Sequence, residues 1–411
     1  MNNSQRIARW IVALVVVAIG GALLGWYFYL RTSAAQDAAT VAERGLNTAA
    51  PSFNGTTGST NENIALATQS SGTGTASSTF SSPRYWQVSN LPVAGADFMG
   101  STTLTYVARS TGYLFTADPR KHAVARLTNT LRPQVYEAYL APGGYTLERT
   151  IGQDGSVTTF LGTLASSTAT STDRALVGID LSGEIDAVAV NQTTHAVLYL
   201  AHQSDGSTLG MTSDWTGTKQ KRLFASPLSQ WLLWYLPDGR VIIAQKPADG
   251  VEGYAYEVGK TGALSELAHG QGLTVLPRSG STALLIGASA GDGSLSLYAL
   301  PTSKSKLEDL GVATVADKCV WASGTSLVAY CAVPSSIPSN TFLDDWYRGA
   351  VHTTDTWLRI DVLSGSTTPL FDSTSGDPQL DVRDPTIDSS GSYIAFENAS
   401  DNSLWVLTLP Q

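Results

Sequence analysis

Between residues 84 and 411 the chain repeats one short pattern: an apolar run, a tight turn usually carrying glycine, and a second apolar run. The turn stands at Phe98-Met99-Gly100-Ser101, Pro142-Gly143-Gly144-Tyr145, Pro237-Asp238-Gly239-Arg240, Arg278-Ser279-Gly280-Ser281, Ser323-Gly324-Thr325 and Ser389-Ser390-Gly391-Ser392. Asn191-Gln192-Thr193-Thr194 fills the same place without glycine. Successive turns are about 44, 50, 45, 41, 44 and 67 residues apart, and a period of this size with four strands per unit marks the blades of a propeller. One such sheet cannot bury its own apolar faces, so the copies must stack on one another.

The runs at 103–108, 195–200, 240–244, 294–299 and 403–408 are rich in β-branched and aromatic residues, and helical periodicity is nearly absent. The expected fold is all-β, a seven-bladed propeller. Six blades remain open, because one turn lacks glycine and the last interval is long. The final copy offers three strands before residue 411. Its fourth could come from Tyr85-Trp86-Gln87-Val88, and ring closure by that strand would remove an exposed sheet edge.

Leu236-Pro237-Asp238-Gly239-Arg240-Val241-Ile242-Ile243 and Ile387-Asp388-Ser389-Ser390-Gly391-Ser392-Tyr393-Ile394-Ala395-Phe396 resemble the Ser-Pro-Asp-Gly-x-x-Ile-Ala-Phe element of TolB-like propellers. The same element marks the WD-repeat-like propeller of dipeptidyl peptidase IV-type proteins. The resemblance implies a propeller with a protein-interaction or scaffold role. The peptidase domain that follows some of these propellers has no counterpart here, so no catalytic residue carries over.

Ahead of the repeats, residues 11–30 form an uncharged apolar run. At 1.5 Å per residue it spans about 30 Å as a helix, the hydrocarbon thickness of a bilayer. Trp10 flanks one end and Trp26, Tyr27 and Tyr29 the other, as in an interfacial belt. An uncleaved anchor is expected, the alternative being a signal peptide, whose apolar core is shorter. Arg6 and Arg9 precede the span and place the N-terminus inside, although Arg31 and Arg44 nearly balance them. Residues 47–82 are almost wholly Ser, Thr, Gly, Ala and Asn, with Glu62 their one charge, and cannot bury enough apolar surface to order themselves. The expected organisation is a cytoplasmic N-terminus at 1–10, a transmembrane helix at 11–30, a flexible linker at 31–83 and the propeller at 84–411.

A formal charge of −9 argues against nucleic acid, which needs a basic face. The two cysteines, Cys319 and Cys331, fall opposite each other if the chain folds at Ser323-Gly324-Thr325. Opposed strand residues approach disulfide distance, and such a bond persists in an oxidising compartment. The alternative is a pair of buried thiols. With the anchor, a disulfide puts the domain outside the plasma membrane.

Several motifs have a bland explanation beside the functional one. Gly287-Ala288-Ser289-Ala290-Gly291 matches a nucleophile elbow, with Asp344 and His352 following in hydrolase order, but an elbow leads into a helix and this turn leads into a strand. The five histidines lack metal-ligand spacing, and Asp377, Asp381 and Asp384 read better as a solvated blade edge than as a calcium loop. Trp231, Trp234 and Tyr235 read as inter-blade core.

The best candidate is the long interval between residues 333 and 354. Loops of this length are uncommon in compact domains and often functional. It carries Phe342, Asp344, Asp345, Trp346, Tyr347 and Arg348, a mixed aromatic and charged set that suits an interaction site. The competing reading is a structural lid with Trp346 buried and Arg348 paired to an aspartate. Function is therefore expected to be that of a non-enzymatic, cofactor-free propeller tethered to the membrane and binding a protein or envelope component. A propeller enzyme acting on glycans or peptides, or a passive envelope spacer, are the alternatives.

Overall fold

A computed structural model describes residues 84–166, 174–302, 306–371 and 377–410. Within them lie seven four-stranded antiparallel sheets, the blades of a propeller. Blade 1 covers residues 93–126, blade 2 135–181, blade 3 185–226, blade 4 231–271, blade 5 274–312, blade 6 319–369 and blade 7 382–408. In blades 1 to 6 the strands follow one another from the innermost outwards. Blade 7 supplies three strands, and Tyr85–Ser89 pairs antiparallel with Leu404–Thr408 as its fourth. The blade count is seven, and the closing strand is the one expected.

All seven repeated turns join the first and second strands of a blade, so they share one face of the ring. The third turn dispenses with glycine because Asn191 is fully buried and its Oδ1 accepts the backbone N–H of Thr193 at 3.0 Å and of Thr194 at 2.8 Å. Asparagine offers this local acceptor where glycine would offer only conformational freedom. The 67-residue interval arises in blade 6. Val328–Pro334 pairs with Asp355–Asp361 in unbroken register down to Pro334 opposite Asp355, and residues 335–354 leave and return at that point. This insert lies on the face opposite the turns.

The core consists of seven apolar layers, each shared by two consecutive blades. Leu147 and Leu161 of blade 2 meet Val188 and Tyr199 of blade 3, and Leu285 and Leu297 of blade 5 meet Ala329 and Ile360 of blade 6. The layer between blades 7 and 1 joins Ala395, Leu404 and Val406 to Trp86, Val93 and Leu104, completing the circle. Trp231 packs between blades 3 and 4, as expected of an inner-strand tryptophan. Second strands are buried on both sides, which is why Val241–Gln245 and Leu284–Ser289 read as continuous apolar runs rather than alternating ones.

Cys319 and Cys331 are register partners in blade 6 and form a disulfide with Cα atoms 4.0 Å apart. The expected membrane span at 11–30, its orientation and the linker at 31–83 lie outside the described residues. Among the described residues no helix is long and apolar enough to cross a membrane.

Candidate functional site

The insert is anchored by an apolar underside. Phe342–Tyr347 forms a short helix, and Phe342, Leu343 and Trp346 turn inward against Leu295 of blade 5 and Val315. Their spacing puts them on one side of the helix. A charged hub completes the anchorage. Lys318 is fully buried, its Nζ lying 2.6 Å from Asp355 Oδ2 and 2.5 Å from Asp381 Oδ1 and donating to Thr353 Oγ1 at 3.1 Å. Trp346 Nε1 donates to Asp381 Oδ1 at 2.9 Å, and His352 Nδ1 meets Asp381 Oδ2 at 3.1 Å. Burial pushes the Asp355 carboxyl up, with Lys318 acting against it.

The six candidate residues therefore divide. Phe342 and Trp346 are core. Asp344 is tied to Asp249 of blade 4 through backbone amides. Asp345 accepts hydrogen bonds from Ser339 Oγ and Thr341 Oγ1, both at 2.7 Å, and from Arg348 Nη2 at 2.5 Å, and these hold its carboxyl down at about 2. Tyr347 and Arg348 face outward, the tyrosine 41% exposed and the arginine side chain 62%.

Beside Tyr347 the central channel opens, lined by residues that sequence reasoning did not select. Tyr347 Oη donates to Asp317 Oδ2, just ahead of the innermost strand of blade 6. Burial raises the Asp317 carboxyl to about 6, opposed by the Tyr347 hydrogen bond and reinforced by the charge of Asp384. Glu137 and Tyr139, on the innermost strand of blade 2, hydrogen-bond to each other at 2.7 Å, and Arg149 Nη1 reaches Glu137 Oε2 at 2.6 Å. In blade 7, Arg383 Nη2 donates to Glu397 Oε2 at 2.6 Å, and Arg383 Nε lies 3.5 Å from Asp384 Oδ2. Burial raises the Asp384 carboxyl, Arg383 lowers it and Glu137 raises it further. Blades 2 and 7 flank blade 1, so Glu137 and Asp384 influence each other past the innermost strand of blade 1.

Asp384 stands out by its backbone. It has φ of 49° and sits where the register slips between Arg383 and Thr386. A bulge redirects a side chain, and aspartate is among the few residues that tolerate a left-handed conformation. The side chain keeps 73% of its accessible surface while burial raises its pKa. At the other end, Gln192 Nε2 of blade 3 and Thr386 Oγ1 of blade 7 both donate to Asp97 of blade 1, tying three blades together near the turn face.

Two other sequence readings meet the structure here. Ser289 of the elbow-like motif ends a strand, is fully buried and donates to Asp249, with no helix following. The acidic run is not a solvated edge: Asp377 pairs with Arg84 at 3.4 Å, Asp381 is 1% exposed in the lysine hub and Asp384 enters the channel. The misreading came from treating three aspartates in one loop-like stretch alike, when Val382–Ile387 is an innermost strand. One signal was available. Acidic residues interrupt the opening positions of three innermost strands, at Glu137, Asp186 and Asp384, where apolar alternation is due. Among the described residues no group of three or more His, Cys, Asp or Glu is arranged to hold a metal ion.

No protein-family model and no curated protein matches the chain. Solved structures do. An oligogalacturonate lyase from Vibrio parahaemolyticus aligns at 9% identity and a TM-score of 0.51 over 80% of this chain and 94% of its own. An oligogalacturonate lyase in complex with manganese aligns at 11% identity and a TM-score of 0.51, over 80% and 93%. A chain of a mitotic checkpoint complex aligns at 10% identity and a TM-score of 0.50, over 89% and 100%. The lyases correct one expectation: a fold of this kind makes up nearly the whole of an enzyme chain, so the propeller fold is no reason to read this protein as non-enzymatic. What these structures share with the chain is the propeller fold.

Proposed function

We propose that the protein is a membrane-tethered, extracytoplasmic propeller that binds a protein or envelope component on its insert-bearing face. The observation that carries this reading is the pinning of the insert. Lys318, Trp346 and Asp344 each fix it from beneath, while Tyr347 and Arg348 stand exposed at the rim of the channel. Tyrosine and arginine are among the residue types that dominate interface energetics. The disulfide in blade 6 supports an oxidising compartment, and the apolar run at 11–30 supports the tether. The test is site-specific photocrosslinking from positions 347 and 348 of the full chain in its own membrane, with exposed Lys260 as control. Discrete adducts from 347 and 348 alone are expected; the same adducts from all three positions, or none from any, would sink the reading.

A second reading, catalysis at the same mouth, is favoured by one observation. Asp317 has a carboxyl raised to about 6 and a tyrosine hydroxyl on it, which suits proton transfer near neutral pH. Turnover of an oligogalacturonate or a neutral oligosaccharide that is lost in Asp317→Asn would establish it; no turnover of either, or turnover untouched by the substitution, would remove it.

A further inference from the structure

On the opposite face, a cleft of ≈ 260 Å³ opens between the first turns of blades 6 and 7. Its rim is made of small residues, among them Gly324 and Gly391, whose φ values of 86° and 69° demand glycine although a Cβ would have room. Its floor carries Val328 and Ile387, and beside them Tyr330 and Arg359, which are register partners on adjacent strands. Such partners stand about 5 Å apart at Cβ, so the phenol and the guanidinium enter the cleft side by side.

The polar groups of this cleft fall into two sets. Ser323 Oγ is committed to Asp388 O at 2.6 Å, and Ser390 Oγ is committed to Asp388 as well. The Arg359 guanidinium, the Tyr330 hydroxyl and the hydroxyls of Ser326 and Ser389 make no side-chain hydrogen bond among the described residues. Asp361, two residues on along the same strand, feels the Arg359 charge but makes no ion pair with it; its Oδ1 accepts the backbone N–H groups of Leu363 and Ser364 at 3.2 and 3.1 Å. A half-buried guanidinium with no carboxylate of the described residues at ion-pair distance is matched by a planar anion that takes its fork bidentately. The phenol and serine hydroxyls around it offer hydrogen bonds to a ligand's own hydroxyls. At about 30 Å³ per water the cleft displaces roughly eight or nine waters, the size of a small organic acid.

We infer that the cleft between blades 6 and 7 is a binding site for a small hydroxylated carboxylate, held by Arg359 and Tyr330. The site is separate from the insert face and stands or falls independently of it. The open mouth admits such a group either as a free acid or as the terminal residue of a longer chain, since only the carboxylate end enters.

The experiment measures binding of D-gluconate, propionate, sorbitol and inorganic phosphate to the full chain in detergent by titration calorimetry and ligand-observed NMR. A longer aldonic acid, maltobionate, separates the free acid from a chain end. Gluconate is expected to bind, propionate more weakly and sorbitol not at all. Arg359→Gln is expected to lower gluconate affinity roughly tenfold or more and Tyr330→Phe severalfold, with Arg120→Gln, on an exposed turn of blade 1, unchanged. Unaltered melting curves show that the variants fold; a variant that does not is replaced by Ser389→Tyr, which fills the mouth and is expected to abolish binding. Absence of gluconate binding, equal binding of sorbitol, tighter binding of phosphate than of gluconate, or gluconate affinity untouched in Arg359→Gln would each overturn the assignment.

Discussion

Asp249 and Asp344, one in the loop of blade 4 and the other in the helix of the insert, cap each other. The backbone N–H of Asp249 donates to Asp344 Oδ1 at 3.2 Å, and that of Asp344 donates to Asp249 Oδ2 at 3.1 Å. Asp249 also accepts Ser289 Oγ from blade 5. One carboxylate thus joins blade 4, blade 5 and the insert, and the residue that sequence reasoning offered as a binding group is a fastener. Removing it leaves the Asp249 amide without its acceptor.

Asp344→Ala is expected to destabilise the domain by about 1–3 kcal/mol, the usual cost of a stranded, partly buried hydrogen-bonding group. Its more specific consequence is local. Arg348, four residues on, is exposed, so trypsin should cut after it faster in the variant than in the parent under native conditions. An unchanged cleavage rate would mean that Lys318 and Trp346 hold the insert without help.

Glu148 predicts how stability responds to pH. Its side chain is fully buried between blades 1 and 2, 3.0 Å from Arg132 Nε, and desolvation raises its carboxyl to about 7 despite that cation. Asp317 is raised to about 6 by the same cause. Folding therefore favours the protonated form of both groups. Their contribution is fully present below the unfolded values near 4 and is lost as pH rises through about 6 and 7. Thermal midpoints should fall between pH 5 and pH 8, and Glu148→Gln should flatten that slope and raise stability at pH 8. The loss at Glu148 is on the order of 3 kcal/mol across the window. A midpoint that climbs with pH over this range would contradict it.

The period of the turns was enough to read the ring, because every copy places its turn residues between the same two strands. Even the copy without glycine kept its place, since Asn191 performs the turn's chemistry. The channel was not legible in that way. Glu137 and Asp384 are far apart in the chain and come within electrostatic reach only because closure places blades 2 and 7 on the two sides of blade 1. The lysine hub was hidden for a similar reason: Lys318, Asp355 and Asp381 belong to a blade junction, and nothing in the spacing of lysine and aspartate marks a buried pair. The aromatic insert could be singled out by length and composition, but which of its side chains face inward depends on a helix only six residues long.

The disulfide braces the innermost hairpin of blade 6 directly after Lys318. A cross-link closing a loop of this length contributes about 3 kcal/mol in the chain-entropy model. Reduction, or replacement of both cysteines by alanine, should lower the unfolding free energy extrapolated from chemical denaturation by that amount without changing the oligomeric state. If chemical denaturation is the same with and without reductant, the link contributes nothing to stability.

Closure of the ring depends on Tyr85–Ser89. Its five residues supply the outer strand of blade 7, and Trp86 and Val88 add to the apolar layer between blades 7 and 1. Trp86 is 2% exposed and stacks on His122 of blade 1 at 4.9 Å, so the strand touches both blades that it joins. Without it, Leu404–Thr408 would present unpaired backbone groups and the buried side chains of Trp405 and Leu407 along an open edge, a template for pairing with another chain. Trp86→Ala keeps the hydrogen-bonded strand and removes the packing, at a cost of about 3–5 kcal/mol. Arg84 O accepts Thr408 N–H at 2.8 Å, so the alternation of the ladder turns the N–H groups of Trp86 and Val88, and not that of Gln87, toward the partner strand. Val88→Pro removes such a donor and should unpair the strand. Self-association measured by sedimentation is expected in Val88→Pro and not in Trp86→Ala, since only the former frees the edge. Equal association of both would trace the effect to lost stability, and a monomeric Val88→Pro protein would show that the ring does not need this strand to hide its seam.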